Sequence, residues 1–179
     1  MNKQLIASFV GGLIIFIWQF LSWSILPTHK AEFGYTANQD SIMQTLNRYL
    51  SEDGGYFLPG VPPGTSQEEA QAMMEKNVNK PWASISYHKS LNTNMTMNMV
   101  RGFVADLLAA FLLVWLLMRF ESLTMQSAII ASIFVGLTSY LTVSYSNSVW
   151  FETPSIGHLI DAIVSWGLAG TWLGWYLRR

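Results

Sequence analysis

The sequence predicts an all-α membrane protein with four transmembrane helices and a small α+β extracytoplasmic insert between the first and the second. Three observations predict it. Charged residues make up only 12% of the 179, about half of the ~25% usual in soluble domains. Apolar residues make up 51%, and they gather into four long runs instead of spreading along the chain. Between the first two runs, residues 27–98 are polar and carry cap and turn signals of their own.

The first run, residues 5–26, has no charge. It matches the ~20 apolar residues that a helix needs to cross a ~30 Å hydrocarbon core. Lys3 just ahead of it raises the alternative of a cleaved leader. The run is longer than the ~7–15-residue apolar stretch of a signal peptide, and no A-x-A site follows, so an uncleaved anchor is expected. The second run, 99–118, contains Arg101 and Asp106 near its start. The third, 124–144, is uncharged. The fourth, 155–177, carries His158 and Asp161 near its start. The connections 119–123 and 145–154 are short, which predicts antiparallel neighbours. Pro154 suits the start of the fourth helix, where a missing N–H costs nothing.

The insert divides in turn. Asn38 or Asp40 can cap a helix running to about Ser51, with Ile42, Leu46, Tyr49 and Leu50 as its apolar stripe. Tyr56-Phe57-Leu58 is a strand candidate stopped by Pro59. Ser66 and Glu69 form a capping box for a helix to about Asn77. Trp82 to His88 has weak strand patterning. The expected divisions are therefore 1–26 as an N-terminal helix, 27–98 as the insert, and 99–179 as a three-helix transmembrane bundle.

Orientation follows from basic residues in short loops. Lys3, Arg119 and the pair Arg178-Arg179 fall on one side, whereas loop 145–154 has Glu152 and no Lys or Arg. Both termini are expected in the cytoplasm and residues 27–98 outside. The basic residues of the insert do not oppose this, because loops longer than ~60 residues are largely exempt from the rule. Trp23 and Trp150 fall at outer helix ends, and Trp115, Trp175 and Tyr176 at inner ends, where amphipathic rings prefer to lie.

The segments Trp23-Ser24-Ile25-Leu26-Pro27-Thr28-His29, Gly55-Tyr56-Phe57-Leu58-Pro59, Ser146-Asn147, Glu152-Thr153-Pro154 and His158-Leu159-Ile160-Asp161 together resemble a family of small four-helix bacterial membrane proteins classed as a domain of unknown function. The resemblance implies a bacterial inner membrane and the same four-helix layout. It implies no activity.

Several groups of residues are candidates for chemistry. Arg101, Asp106, His158 and Asp161 would share the outer leaflet as an intramembrane polar cluster. His158 and Asp161 share a helix face at i, i+3, and Arg101 is expected to reach Asp161 or Asp106. Such groups face a bundle interior and pair. They serve as a structural ion pair between the second and fourth helices, or as a proton or cation site. Gly167, Gly170 and Gly174 on the fourth helix, with Gly102 on the second, offer small faces for close helix packing, within the chain or against another subunit. Met95, Met97 and Met99, preceded by His88, are candidates for Cu(I), whose soft character thioethers match. They align only in an extended segment; in a helix Met97 points away from the other two. His29 is read as an isolated residue that caps or hydrogen-bonds at the membrane surface.

Much is excluded. A net charge of −1 gives no basic footprint for nucleic acid. The absence of cysteine removes disulfides, thiolate metal sites and a cysteine nucleophile. No G-x-S-x-G, HExxH, P-loop or G-x-G-x-x-G motif occurs. No enzyme activity and no cofactor are therefore expected. The insert is too small to bury much core without staples, so it must lean on the helices, a metal or another chain. The expected function is a non-catalytic accessory or assembly subunit of a larger inner-membrane complex, with the lipid bilayer and other subunits or further copies as partners. The alternatives are a small ion-coupled transporter using Asp106 and Asp161, and a Cu(I)-handling protein.

Overall fold

The computed structural model describes residues 2–178. Arg179, half of the basic pair used for orientation, lies outside the described residues. Helix α1 spans Lys3–Ser24, capped by Asn2, whose side chain accepts from the Gln4 amide. A single 3-10 turn follows at Pro27–His29. The insert contributes α2 (Gln39–Tyr49), β1 (Gly54–Leu58), α3 (Gln67–Glu75) and β2 (Ala83–Tyr87). Helix α4 runs over Thr96–Leu117, α5 over Met125–Phe151, and α6 over Ile156–Leu177.

Three of these, α1, α4 and α5, are long and apolar enough to cross a membrane. Helix α6 has 22 residues, as do α1 and α4, and carries His158 and Asp161 in its first two turns. Large apolar side chains such as Phe9, Ile17, Leu108, Leu112, Phe134 and Leu168 point outward, as they do in a bundle bathed by lipid.

The chain divides into two compact units. One contains residues up to Gly34 together with those from Asn94; the other is Tyr35–Thr93. In the first, α1 packs along both α4 and α6, and α6 packs along α5. Helices α4 and α5, though joined by a short loop, touch little. Its core is small-on-large: Ala7, Leu113, Val114, Leu117, Ala128 and Leu173 form one cluster, and Ile15, Ala110 and Ala169 a second. Close approach needs glycine at defined points. A Cβ on Gly12 would meet the Leu107 backbone at 2.9 Å, and one on Gly170 would meet Ser132 Oγ at 2.6 Å.

The second unit has the expected order of helix, strand, helix and strand, but Asn38, at the N-cap of α2, makes no side-chain capping bond, and Ile42 and Tyr49 of the expected stripe are exposed. Ser66 and Glu69 form a capping box in both directions on α3. Strands β1 and β2 pair antiparallel, with Gly54 opposite Tyr87 and Leu58 opposite Ala83. Asp53 accepts the Lys89 amide at 3.0 Å beyond the strand ends. That bond, with His88 beside it, holds the Asp53 carboxyl below its ordinary range.

The third apolar run differs from expectation. The helix does not stop at Ser144 but continues to Phe151 through a π-helical stretch at Tyr140–Tyr145. The polar residues Ser146, Asn147 and Ser148, read as loop, form its last turns. The true turn is Glu152 to Ser155. It opens with Glu152 in the left-handed region (φ 52°), a usual way to end a helix. Pro154 sits just before the N-cap Ser155 of α6, outside the helix.

Candidate functional site

The site grows from the residue that ends α1's extension. The Pro27–His29 turn folds the chain back, so that His29 lies against the start of α6. Gly157 makes room for it: a Cβ there would meet Thr28 O at 2.7 Å and His29 Nδ1 at 2.8 Å. His29 is 5% exposed and stacks on the Trp23 indole, with ring centroids 3.8 Å apart.

Both ring nitrogens of His29 meet carboxylates. Nδ1 lies 2.5 Å from Glu32 Oε1 and Nε2 lies 2.8 Å from Asp161 Oδ2. Burial lowers the pKa of His29, but the hydrogen bonds and charges of Glu32 and Asp161 outweigh it, and the net shift is upward. Glu32 reaches onward: its Oε2 is 3.3 Å from His158 Nε2. The result is a continuous row, Asp161–His29–Glu32–His158, in which carboxylate and imidazole alternate.

Helix α1 anchors the row. Asp161 Oδ1 accepts from Trp18 Nε1 at 2.9 Å and from Ser22 Oγ at 2.5 Å. Trp18 and Ser22 stand four residues apart on one helix face, so a single stripe of α1 holds the carboxylate. A groove of about 640 Å³ opens beside the row, lined by Glu32 and His158 together with Asn147, Trp150 and Thr153. The π-helical stretch of α5 supplies part of its wall through Thr142, Val143 and Ser144. π-bulges are frequent at functional sites.

The expected polar cluster therefore separates. His158 and Asp161 do meet, through His29 and Glu32. Asp106 stands apart: its Oδ1 accepts from Gln19 Nε2 at 3.1 Å, and its Oδ2 is buried without a partner. The pairing expected for Arg101 is not formed. Arg101 is exposed, and both carboxylates are bonded to side chains of α1, which packs along the helices of each.

The glycine face of α6 packs within the chain. Gly170 abuts Ser132 and Ala128, Gly174 meets Ala128 and Met125, and Gly167 touches Ile133. Gly102 has only Phe16 Cε2 near it, at 4.0 Å. The methionine stretch is helical: Met95 is the N-cap of α4 with αR dihedrals, and Met97 and Met99 lie in its first turn. The extended geometry that would align three thioethers is not adopted, and all three side chains are exposed. His88 stands beside Asp53, 3.6 Å away.

Sequence reasoning reached His158 and Asp161 but passed over Glu32, Trp18, Gln19 and Ser22, and treated His29 as solitary. One available signal was the polar stripe Trp18–Ser22 inside an otherwise apolar run. No family model matches the chain, and neither the curated proteins nor the solved structures contain a match to it.

Proposed function

We propose that the protein is a non-catalytic integral membrane protein of the bacterial inner membrane, an accessory or assembly subunit of a larger complex. The observation that carries this reading is the surface of the Tyr35–Thr93 unit. Among its described residues only Tyr87 is a buried hydrophobic, while Ile42, Met43, Phe57 and Trp82 remain 41–50% exposed. A unit with so little core gains stability by covering its apolar side chains with another surface.

The topology that accompanies this reading has four spans, α1, α4, α5 and α6, with both termini cytoplasmic and residues 27–98 outside. Its support is the grouping of basic residues at one end of the bundle. Lys3 Nζ donates to Leu177 O at 3.1 Å, and Lys3 and Arg178 line one small pocket with Phe120 and Glu121. Such clustering marks a cytoplasmic face. The resemblance to the four-helix family points the same way.

The test is gentle detergent extraction of the native protein, with a photo-crosslinker placed at Phe57 or Trp82. Stoichiometric membrane subunits that crosslink through those positions are expected. A lone monomer without crosslinks would overturn the reading. For the topology, alkaline phosphatase fused near Gly64 should be active and fused after Arg179 silent.

A second reading, a small ion-coupled transporter, is favoured by the unpartnered Asp106 Oδ2. A buried carboxyl oxygen without a partner is costly, and a bound proton or cation relieves that cost. Asp106→Asn separates the two: normal abundance with loss of ion-driven uptake supports transport, whereas unchanged function supports the subunit.

A further inference from the structure

We propose that His29, Glu32 and His158 form a binding site for one divalent first-row transition metal ion, with zinc the best fit, and that Asp161 orients His29 toward it. The inference does not rest on the subunit reading.

Each residue offers one ligand atom, and the three atoms lie within 4.8 Å of one another. An ion with bonds of ~2.0–2.2 Å in tetrahedral geometry separates its ligands by ~3.3 Å. The His158 Nε2 to Glu32 Oε2 distance is already 3.3 Å. The His29 Nδ1 to Glu32 Oε1 contact, 2.5 Å, is a hydrogen bond. These two contacts use different oxygens of Glu32, so on binding the Nδ1 proton passes to solvent, metal takes the Nδ1 lone pair, and the carboxylate turns to present one oxygen to the ion between the two imidazoles.

The outer contacts are those of a metal-bound histidine. A ligating imidazole donates its other N–H to a carboxylate, which fixes its tautomer and ring plane. His29 does this from Nε2 to Asp161 Oδ2 at 2.8 Å. Asp161 is itself held by Trp18 and Ser22, and the ring is clamped on Trp23. This is more organisation than an ordinary surface ion pair has.

The donor set also selects the ion. Two imidazoles and one carboxylate suit zinc, iron(II), cobalt(II) or nickel(II) rather than Cu(I) or calcium. Three protein ligands leave a fourth position. The groove touches Glu32 and His158, so that position opens on it and takes water or a ligand oxygen.

The experiment uses full-length protein without a polyhistidine tag, in lipid nanodiscs, stripped with chelator and titrated with Zn²⁺ and Co²⁺. One equivalent should bind. Co²⁺ should give the intense visible bands of a four- or five-coordinate site. His158→Gln should abolish tight binding. That variant removes the His158–Glu32 contact but leaves those between Asp161, His29 and Glu32, so in chelator it should still melt cooperatively, a few degrees from the parent at most. Asp161→Asn should keep the stoichiometry but weaken affinity ~10–100-fold, as loss of an outer-shell carboxylate does. The parent should melt at higher temperature with Zn²⁺, Asp161→Asn should need more of the ion for the same shift, and His158→Gln should show none. No stoichiometric uptake of either ion by the parent, or uptake unchanged in both His158→Gln and Glu32→Gln, would overturn the proposal.

Discussion

The imidazole of His29 lies flat against the indole of Trp23, with ring planes 9° apart. The two residues are six positions apart in sequence, and the turn at Pro27–His29 brings them face to face. Trp23 is 48% exposed while His29 is 5% exposed, so the indole shields the ring. Replacing Trp23 by Ala should remove the ~0.5–1.5 kcal/mol of an aromatic pair. The melting temperature should then fall by about 2–4 °C for each kcal/mol lost in a chain of this size. Trp23→Phe should retain most of it. Thermal melts in one detergent check both.

Asp161→Leu should be far more damaging. It leaves Trp18 Nε1, Ser22 Oγ and His29 Nε2 without their acceptor. Breaking a buried pair by removing one member costs ~3–5 kcal/mol, and less where water reaches the survivors. Accumulation of folded protein should drop sharply. Because Arg101 is not the partner, adding Arg101→Leu should give no rescue. Adding His29→Leu should restore part of the loss. Quantitative immunoblots of the membrane fraction distinguish these outcomes.

Gly157 and Gly102 should respond oppositely to the same change. A methyl group at Gly157 meets the Thr28 carbonyl at 2.7 Å and the His29 ring. Overpacking of that kind costs ~1–3 kcal/mol, and it should also displace His29 from Asp161. Gly102→Ala meets only Phe16 Cε2, at 4.0 Å, and should be neutral or slightly stabilising, since alanine favours a helix over glycine by ~1 kcal/mol. Paired melting curves test the contrast.

The excised segment 35–93 should not fold alone. Its two-stranded sheet is near the lower limit of independent stability, and Tyr87, bonded to Asn47 Oδ1 at 2.9 Å, is its one buried hydrophobic among the described residues. Weak near-UV circular dichroism and no cooperative melt are expected. A sharp two-state transition in metal-free buffer would remove the main support for the subunit reading.

The parts of the fold governed by local chemistry were legible in the sequence. The Ser66–Glu69 box and the strands around Tyr56 and Ile85 depend on near neighbours, and sequence carries those directly; α1 was legible as an element, though it runs over Lys3–Ser24 and not 5–26. The end of α5 was not legible, because Ser146-Asn147-Ser148 has loop composition and nothing local marks a π-helical continuation. The site was half legible. His158 and Asp161 stood out as titratable groups in an apolar run. Glu32 did not, since one acid in a polar stretch has no periodicity to mark it. His29 looked solitary because one partner is distant, 132 residues away. Charge alone would pair Arg101 with the carboxylates. Neutral donors on α1, a tryptophan, a serine and a glutamine, hold them instead.

Helix α1 therefore imposes an order on synthesis. It is made before its partners, since Gln19, Ser22 and Trp18 precede theirs by 87, 139 and 143 residues. Until then these three side chains lack the carboxylates that hold them in the folded chain. Asp161 on α6 thus completes the side-chain contacts of α1, and a chain truncated before it should accumulate less folded protein.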